Sequence, residues 1–392
     1  MSGYAGTGKT TIVDLIIEKL GLAEQSVTIA CPTNNAADVL TRKLIKNGSG
    51  IIADTIHSLI YTPKITKVYE TPVERKARLD RNAKLPPDEQ IPEPRPKQKI
   101  SFKMKDYMKT GGIKLIIIDE ASMLDGKMYE DLKSLGIKIL FIGDIGQLPP
   151  VTKGKKNVFI LGKPDVLLSQ VVRQAEDNPI IQMSIAMREK NYPKPGYYGK
   201  NNEIRVIKQS DFNKDREFMA AALTQADQII CGKNATRHML NDSVRFLRGF
   251  KDQRPQPGDK LICLKNSKDV AVDGYRLVNG MLVTVTDEYA SDETAQLLEI
   301  LPQGATNPGP VDASSMPFYD RDNFTSYLYD IKEEVFDYGY AITCHKAQGA
   351  EWDNVLVIAE NFDNDTFHQW LYTAVTRAGK RLILVMPDYL YR

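Results

Sequence analysis

The sequence predicts an α/β chain with two parallel-sheet halves, each carrying an insertion of different character. Three observations predict it. Short apolar runs at 114–118, 137–142, 228–231 and 355–358 contain almost no polar residues. Such runs read as strands buried on both faces, as in parallel sheets covered by helices. A basic, proline-rich stretch at 62–111 interrupts the first half, and a β-rich stretch at 251–335 interrupts the second.

At 392 residues the chain is long enough for two or more domains with sizeable cores. Hydrophobic residues make up 42% and charged residues 26%, which fits an ordinary globular protein and argues against disorder. The net charge of +2 is too small to identify a partner, so local patches decide. Cys31, Cys231, Cys263 and Cys344 are far apart and form no C-x-x-C pair. They point to a reducing compartment without a zinc site. With no signal peptide and no run of membrane-spanning length, a cytoplasmic protein is expected.

In chain order, residues 10–20 form a helix directly after a glycine-rich loop. A strand at 26–31 and a helix at 36–46 follow, then strands at 114–118 and 137–142. The insertion at 62–111 holds thirteen Lys or Arg against seven acids, and seven prolines. It suits an inserted, partly extended arm, either a disordered basic loop or a small subdomain facing a polyanion, in which 65–69 and 99–104 could pair as a hairpin around the proline-rich middle. Strands at 204–207, 228–231, 355–358 and 382–386 build the second half. Within its insertion, Pro257-Gly258-Asp259 turns into a strand at 260–264, and Asn279-Gly280 is a hairpin signal before 281–286. A further strand at 297–301 completes a small β-barrel. The expected boundaries are 1–61 plus 112–158, the arm at 62–111, 159–250 plus 336–392, and the barrel at 251–335.

The opening residues Gly3-Tyr4-Ala5-Gly6-Thr7-Gly8-Lys9-Thr10 fit G-x-x-x-x-G-K-[ST]. Glycines let backbone amides turn inward around a triphosphate, and Lys9 reaches the β- and γ-phosphates. The Thr10 hydroxyl can ligate Mg²⁺, and the helix beginning there points its positive end at the same anion. Only Met1 and Ser2 precede the loop, so its usual strand, and the contacts of a central strand, are expected to be missing.

Asp119-Glu120 closes the apolar strand at 114–118. Two carboxylates at that strand end suit phosphoryl hydrolysis: Asp119 holds the metal, and Glu120 orients or deprotonates the attacking water. Gln147, in the loop after the next strand, is placed to sense the γ-phosphate. Arg173 and Arg377, far along the chain, are candidates to stabilise transition-state charge across a cleft. Either arginine taken alone also suits a surface ion pair.

Together these segments resemble the superfamily 1 helicases. Residues 3–10 resemble motif I, Pro32-Thr33-Asn34 motif Ia, Asp119-Glu120-Ala121-Ser122 motif II, and 143–150 motif III. Thr55-Ile56-His57-Ser58 resembles a DNA-touching segment, and Arg173 falls where motif IV has its arginine. Residues 340–351 resemble motif V and 372–378 motif VI. The wording is most similar to the Dda-type phage helicases and RecD. The resemblance implies two RecA-like domains binding ATP and Mg²⁺ between them. Gly3, Ala5, Gly6, Thr7, Gly8, Lys9, Thr10, Thr11, Gln348 and Gly349 would surround the nucleotide. Pro32, Thr33, Asn34, Thr55, His57, Thr343 and His345 would line the DNA path, holding phosphates without reading bases. Phe102 is the candidate strand-separating aromatic at the tip of the arm, with Tyr69 second; ordinary packing is the alternative for both.

The resemblance further implies 5′ to 3′ movement on single-stranded DNA, action at forks, and contact with replication or recombination proteins. A glutamine-containing, adenine-contacting segment of the family lies upstream of the phosphate loop and is not matched here. Three rivals remain on sequence grounds: an RNA helicase of the same fold, a single-strand binding protein with an impaired motor, and a P-loop enzyme acting on metabolites. The region 340–377 weighs against the last.

Overall fold

The computed structural model describes residues 1–87, 89–91, 93–94, 96–105, 112–150, 164–168, 177–267, 269–292, 294–321, 324–328, 330–360 and 365–391. Strands are numbered in chain order. The first half contains β1 (Ser2–Gly3), β2 (Val27–Cys31), β3 (Asp54–Thr55), β4 (Tyr61–Val68), β5 (Lys97–Met104), β6 (Leu115–Ile118), β7 (Lys138–Phe141) and β8 (Leu167–Leu168). Its parallel sheet runs β3-β2-β6-β7. A parallel bridge from Ser2 to Gly143 and the β1–β8 pair extend it.

The strand before the phosphate loop is therefore present, contrary to the sequence expectation. It is two residues long. Ser2 N–H donates to Val166 O at 2.8 Å and Gly3 N–H to Gly143 O at 3.0 Å, so both neighbours hold it. The Met1 amino group donates to Phe141 O at 2.8 Å.

Alternation along β6 explains the layering. Ile117 packs with Val13, Ile17, Leu40 and Leu44 on one face. Ile116 and Ile118 pack with Ile56, Ile60, Leu124 and Leu132 on the other. Both faces are thus covered, by α1 (Lys9–Lys19) and α2 (Asn34–Lys46) on one side and by α3 (Ile56–Ile60) on the other.

The second half contains β9 (Gly196–Tyr198), β10 (Ile204–Lys208), β11 (Gln228–Cys231), β12 (Lys260–Cys263), β13 (Ala271–Val272), β14 (Tyr275–Arg276), β15 (Leu282–Ser291), β16 (Ala295–Pro302), β17 (Gly309–Ser314), β18 (Phe336–Tyr338), β19 (Ala341–Thr343), β20 (Trp352–Ile358) and β21 (Ala378–Met386). The order β19-β11-β20-β21-β10 is parallel throughout, and β9 joins antiparallel at its edge.

A five-stranded antiparallel sheet, β17-β16-β15-β12-β18, occupies the β-rich stretch. Its two ends meet: Ala313 bridges Glu334, with Ser314 N–H donating to Glu334 O at 2.8 Å and Glu334 N–H to Asp312 O at 2.7 Å. Asn279-Gly280 does turn, but the strand after it pairs with β12 rather than with the segment just before the turn. The short β13–β14 pair lies between. This sheet shares a core with the second parallel sheet, in which Leu261, Val283 and Phe336 pack with Ile229, Leu356 and Val385. Arg245 locks them together, pairing both Asp259 oxygens at 3.0 and 3.1 Å in a buried site.

In the first insertion β4 and β5 pair antiparallel, from Tyr61 opposite Met104 to Val68 opposite Lys97. Beyond them α4 (Pro72–Asn82) is a regular helix with a complete capping box of Thr71 and Glu74. Among the described residues no helix is long and apolar enough to cross a membrane.

Candidate functional site

The loop from Gly3 to Gly8 joins β1 to α1. Gly6 and Gly8 have φ of 75° and 77°, the left-handed region where a side chain is strained. Gly8 caps α1 without a side chain over the first amides. Lys9 Nζ donates to Gly3 O at 2.8 Å and Tyr4 O at 3.0 Å, and lies 3.9 Å from Asp144 Oδ2. Its ammonium therefore sits over the loop. Thr7 Oγ1 donates to Tyr4 O at 2.8 Å, bracing the turn. Thr11 is exposed in α1, and the side chain of Thr10 lies outside the described structure.

Asp119 directly follows β6, close enough to the loop for the Lys9 charge to act on it. Burial, and then the neighbouring Glu120 charge, push its carboxyl up to about 6, against the opposing pull of the Glu120 amide, Lys9 and Lys43. Glu120 has φ of 51°, unusual for a residue with a side chain, and its N–H donates to Asp119 Oδ1 at 2.9 Å. Backbone strain of this kind collects at working sites. Glu120 Oε2 is buried and finds no partner among the described residues.

The loop after β7 carries Asp144, Gln147 and Leu148 to the second half. Asp144 is fully buried. Its Oδ1 accepts from Gly146 N–H at 2.9 Å, and its Oδ2 accepts from the Tyr372 hydroxyl at 2.6 Å. The same hydroxyl accepts from Ala5 N–H at 2.8 Å. Burial first, and then Asp144, hold the Tyr372 phenol well above its ordinary value, so it stays a donor to that carboxylate. Leu148 N–H donates to Thr373 Oγ1 at 2.9 Å, and Gln348 Nε2 to Leu148 O at 3.4 Å. Gln147 and Gln348 are both buried, and each has an Oε1 without a partner among the described residues.

Gly349 fixes how closely the halves approach. Its φ is 81°, and a Cβ there would stand 2.6 Å from Ala36 Cβ in the first turn of α2. The helix Phe367–Val375 and the turn at 344–349 thus press onto the phosphate loop and its flanks. Tyr372, Asp144 and Tyr4 were not among the sequence candidates for this site. Tyr372 lay inside a recognised motif, but nothing in the sequence showed which atoms it would join.

Of the two candidate arginines, only Arg377 lies among the described residues, and Arg173 falls outside them. Arg377 is buried, and its nitrogens are committed within the second half: Nε to Thr373 O at 3.0 Å, Nη1 to Ala350 O at 3.2 Å and Nη2 to Thr376 Oγ1 at 3.1 Å. Its guanidinium braces the helix that carries Tyr372 and does not point into the loop.

A second group lies at the carboxyl ends of parallel strands. Thr33 caps α2, accepting from Ala36 N–H at 3.2 Å, and Thr55 caps α3, accepting from Ser58 N–H at 3.0 Å. Thr343 ends β19 and caps Cys344–Ala347 with its hydroxyl uncommitted to that helix. Pro32 precedes Thr33. Asn34 Nδ2 donates to Asn266 Oδ1 at 3.1 Å, reaching across to the β-rich stretch. Burial lowers the His57 and His345 imidazoles below their ordinary value, which keeps both neutral at pH 7.

Phe102 needs a correction. The register pairs it with Pro63, near the base of the β4–β5 hairpin and not at its tip. Its ring lies 5.1 Å from His57 and 5.8 Å from Tyr61, yet 47% of it is exposed. Tyr69, 68% exposed, follows the far end of β4. Extended chain carried Phe102 back along the hairpin, because the middle of the insertion is occupied by α4.

Residues 1–209 match the family described as an AAA domain, and residues 338–385 match the UvrD-like helicase C-terminal domain. The chain belongs to the superfamily 1 helicases. It is 30% identical to the ATP-dependent DNA helicase Pif1 of Campylobacter jejuni, over 96% of this chain and 86% of that protein. It is 26% identical to the RecD2 DNA helicase of Deinococcus radiodurans, over 97% of this chain and 46% of that protein. An uncharacterized protein of Methanocaldococcus jannaschii is 25% identical over the whole chain, which spans 36% of that relative. The chain thus covers less than half the length of these last two relatives.

In fold it is similar to the Pif1 helicase of Candida albicans, with a TM-score of 0.53 and 19% identity over 98% of this chain and 90% of that one. A Bacteroides Pif1 bound to single-stranded DNA gives a TM-score of 0.52 and 18% identity over 100% and 91%. The two parallel sheets are accordingly the RecA-like core of this family.

Proposed function

We propose that this chain is an ATP-driven motor that moves along single-stranded DNA, 5′ to 3′, and separates duplex at forks. The observation that carries the reading is the Tyr372 hydroxyl, held between the Ala5 amide of the phosphate loop and Asp144. A residue 367 positions away from Ala5 touches the loop itself, so events at the loop are felt directly by the second half.

The division follows the sequence boundaries: RecA-like domains at 1–61 plus 112–158 and 159–250 plus 336–392, an arm at 62–111, and a barrel at 251–335. The meeting of β17 with Glu334 supports the barrel. Lys9 and the amides from Gly3 to Thr11 hold the triphosphate. Glu120 orients the attacking water, and its unpartnered buried oxygen supports that role. Gln147, Gln348 and Gly349 close over the γ-phosphate. Arg377 serves once its bonds within the second half are released, and Arg173 joins it.

The site suits a divalent cation. Asp119 is a buried carboxylate pushed up to about 6, an environment that a cation relieves. Thr10 and Asp119 would hold Mg²⁺, which supplies charge neutralisation between the β- and γ-phosphates when bound. Lys9 orients the phosphates, and the packed second half excludes water.

For DNA, Pro32, Thr33, Asn34, Thr55, His57, Thr343 and His345 present hydroxyls, amides and neutral rings at the strand ends, suited to phosphates rather than base edges. Phe102, its ring tilted against His57 and about half exposed, suits a base-stacking ledge. Tyr69 is the better-placed wedge at the far end of the hairpin.

Glu120→Gln tests the chemistry. The variant should bind ATP and DNA like the parent while hydrolysis falls at least about 100-fold, the scale of a lost general base. Hydrolysis at the parental rate would remove Glu120 from the mechanism. On forks with a single tail, unwinding only from a 3′ tail would reject the polarity.

A further inference from the structure

Arg188 ends the helix Pro179–Arg188 in the second half, yet it lies on the phosphate loop. Its guanidinium carbon stands 3.5 Å from the centre of the Tyr4 ring, close for a cation over an aromatic face. Its Cδ is 3.1 Å from where a Cβ on Gly146 would stand, so the side chain also packs on the loop after β7. Nη1 is buried and finds no hydrogen-bond partner among the described residues. Among the described residues the one carboxylate paired with it is Glu189, 3.9 Å from Nη2 and 58% exposed, beyond hydrogen-bond distance.

An arginine cannot shed its proton, so a buried free N–H is a standing cost unless a ligand meets it. The surroundings say which ligand. Tyr4 is the second residue of the phosphate-loop pattern. Gly146 precedes Gln147, and the Asp144 carboxylate in the same loop faces Lys9. Lys9 addresses the β- and γ-phosphates. A guanidinium donor matches a phosphate oxygen in both charge and geometry.

We infer that Arg188 is a triphosphate-contacting arginine: it rests on Tyr4 and donates Nη1 to the γ-phosphate of a bound nucleotide. This rests on the nucleotide-site reading above and deepens it. Arg188 then makes ATP, and not ADP, draw the second half onto the loop.

The test measures equilibrium binding of ADP and of the non-hydrolysable analogue adenylyl imidodiphosphate, with Mg²⁺. Parent, Arg188→Ala, Arg188→Lys, Tyr4→Leu and Lys9→Ala are compared, with circular dichroism on each to establish folding. Arg188→Ala should weaken the triphosphate analogue about 10- to 100-fold, the worth of a charged hydrogen bond, and leave ADP within about twofold. Arg188→Lys should lose part of that preference, because it keeps the charge but not the fork. Tyr4→Leu removes the ring and keeps the donor, so its preference for triphosphate should persist. If Arg188→Ala fails to fold, Arg188→Lys and Tyr4→Leu carry the comparison. Equal weakening of both nucleotides in Arg188→Ala overturns the assignment, as does no change in either. Loss of preference in Tyr4→Leu as complete as in Arg188→Ala also overturns it. Lys9→Ala should weaken both nucleotides. A parent chain that binds neither overturns the nucleotide-site reading along with this one.

Discussion

Replacing Tyr372 with phenylalanine removes one oxygen and two hydrogen bonds. The hydroxyl donates to Asp144 Oδ2 at 2.6 Å and accepts from Ala5 N–H at 2.8 Å, in a site where Tyr372 and Asp144 are both fully buried. Without nucleotide, Tyr372→Phe leaves the Ala5 amide and the carboxylate short of a partner. With nucleotide, a phosphate oxygen takes the Ala5 amide, so only the loss at Asp144 remains. The thermodynamic difference is one unsatisfied amide, about 1–3 kcal/mol. It appears as nucleotide binding about 5- to 150-fold tighter in the variant, because the parent must first break the Tyr372–Ala5 bond. The assay is titration of a fluorescent ADP analogue into parent and variant without DNA. DNA-stimulated turnover should fall at the same time, since the link between loop and second half is cut. Binding that is unchanged or weaker in Tyr372→Phe would refute the reasoning, because the hydroxyl would then not compete for the loop.

Gly349→Ala places a methyl group 2.6 Å from Ala36 Cβ and forces the halves apart; DNA-stimulated hydrolysis should fall by about tenfold or more, whereas a parental rate would mean the contact is not needed for closure. Asp119 titrates above its ordinary value of 3.8, so the folded chain holds more proton than the unfolded chain between pH about 4 and 6, and stability without Mg²⁺ falls as pH rises through that window. Asp119→Asn should therefore be more stable than the parent at pH 8, by on the order of 1–3 kcal/mol, with the gain fading below pH about 4; urea melts at both pH values check it. Asp259→Ala strands the buried Arg245 guanidinium and should cost about 3–5 kcal/mol in the second half, read by urea unfolding, with a loss under about 1 kcal/mol arguing that the pair contributes little.

The parallel sheets were legible because β6 and β11 are buried along their whole length, β6 carrying no polar residue and β11 only Gln228 at its start. Likewise Lys9, Asp119 and Glu120 follow from the order of strand and loop, since strand ends deliver side chains to one edge. Other features depend on atoms far apart in sequence. β1 is two residues long and gains its partners from β8 and Gly143, which no local pattern announces. Tyr372 and Arg188 matter through Ala5, Asp144 and Tyr4, contacts that only the assembled halves create. The helix α4 was readable and missed: Thr71-Pro72-Val73-Glu74 carries a capping box with proline at the first turn. The prolines around it drew the reading toward extended chain, and that error also misplaced Phe102 at a tip. Arg377 shows a further limit, since a motif names the residue but not the bonds that hold it aside.

The central claim is that the opening loop drives the second half through nucleotide turnover, and one measurement addresses it directly. ATP hydrolysis is followed for the parent and Lys9→Ala with single-stranded DNA, with RNA, and with neither. The account predicts strong stimulation of the parent by DNA, weaker stimulation by RNA, and a Lys9→Ala rate near background under all three conditions. A parent indifferent to DNA, or a Lys9→Ala chain that turns over at the parental rate, would contradict it.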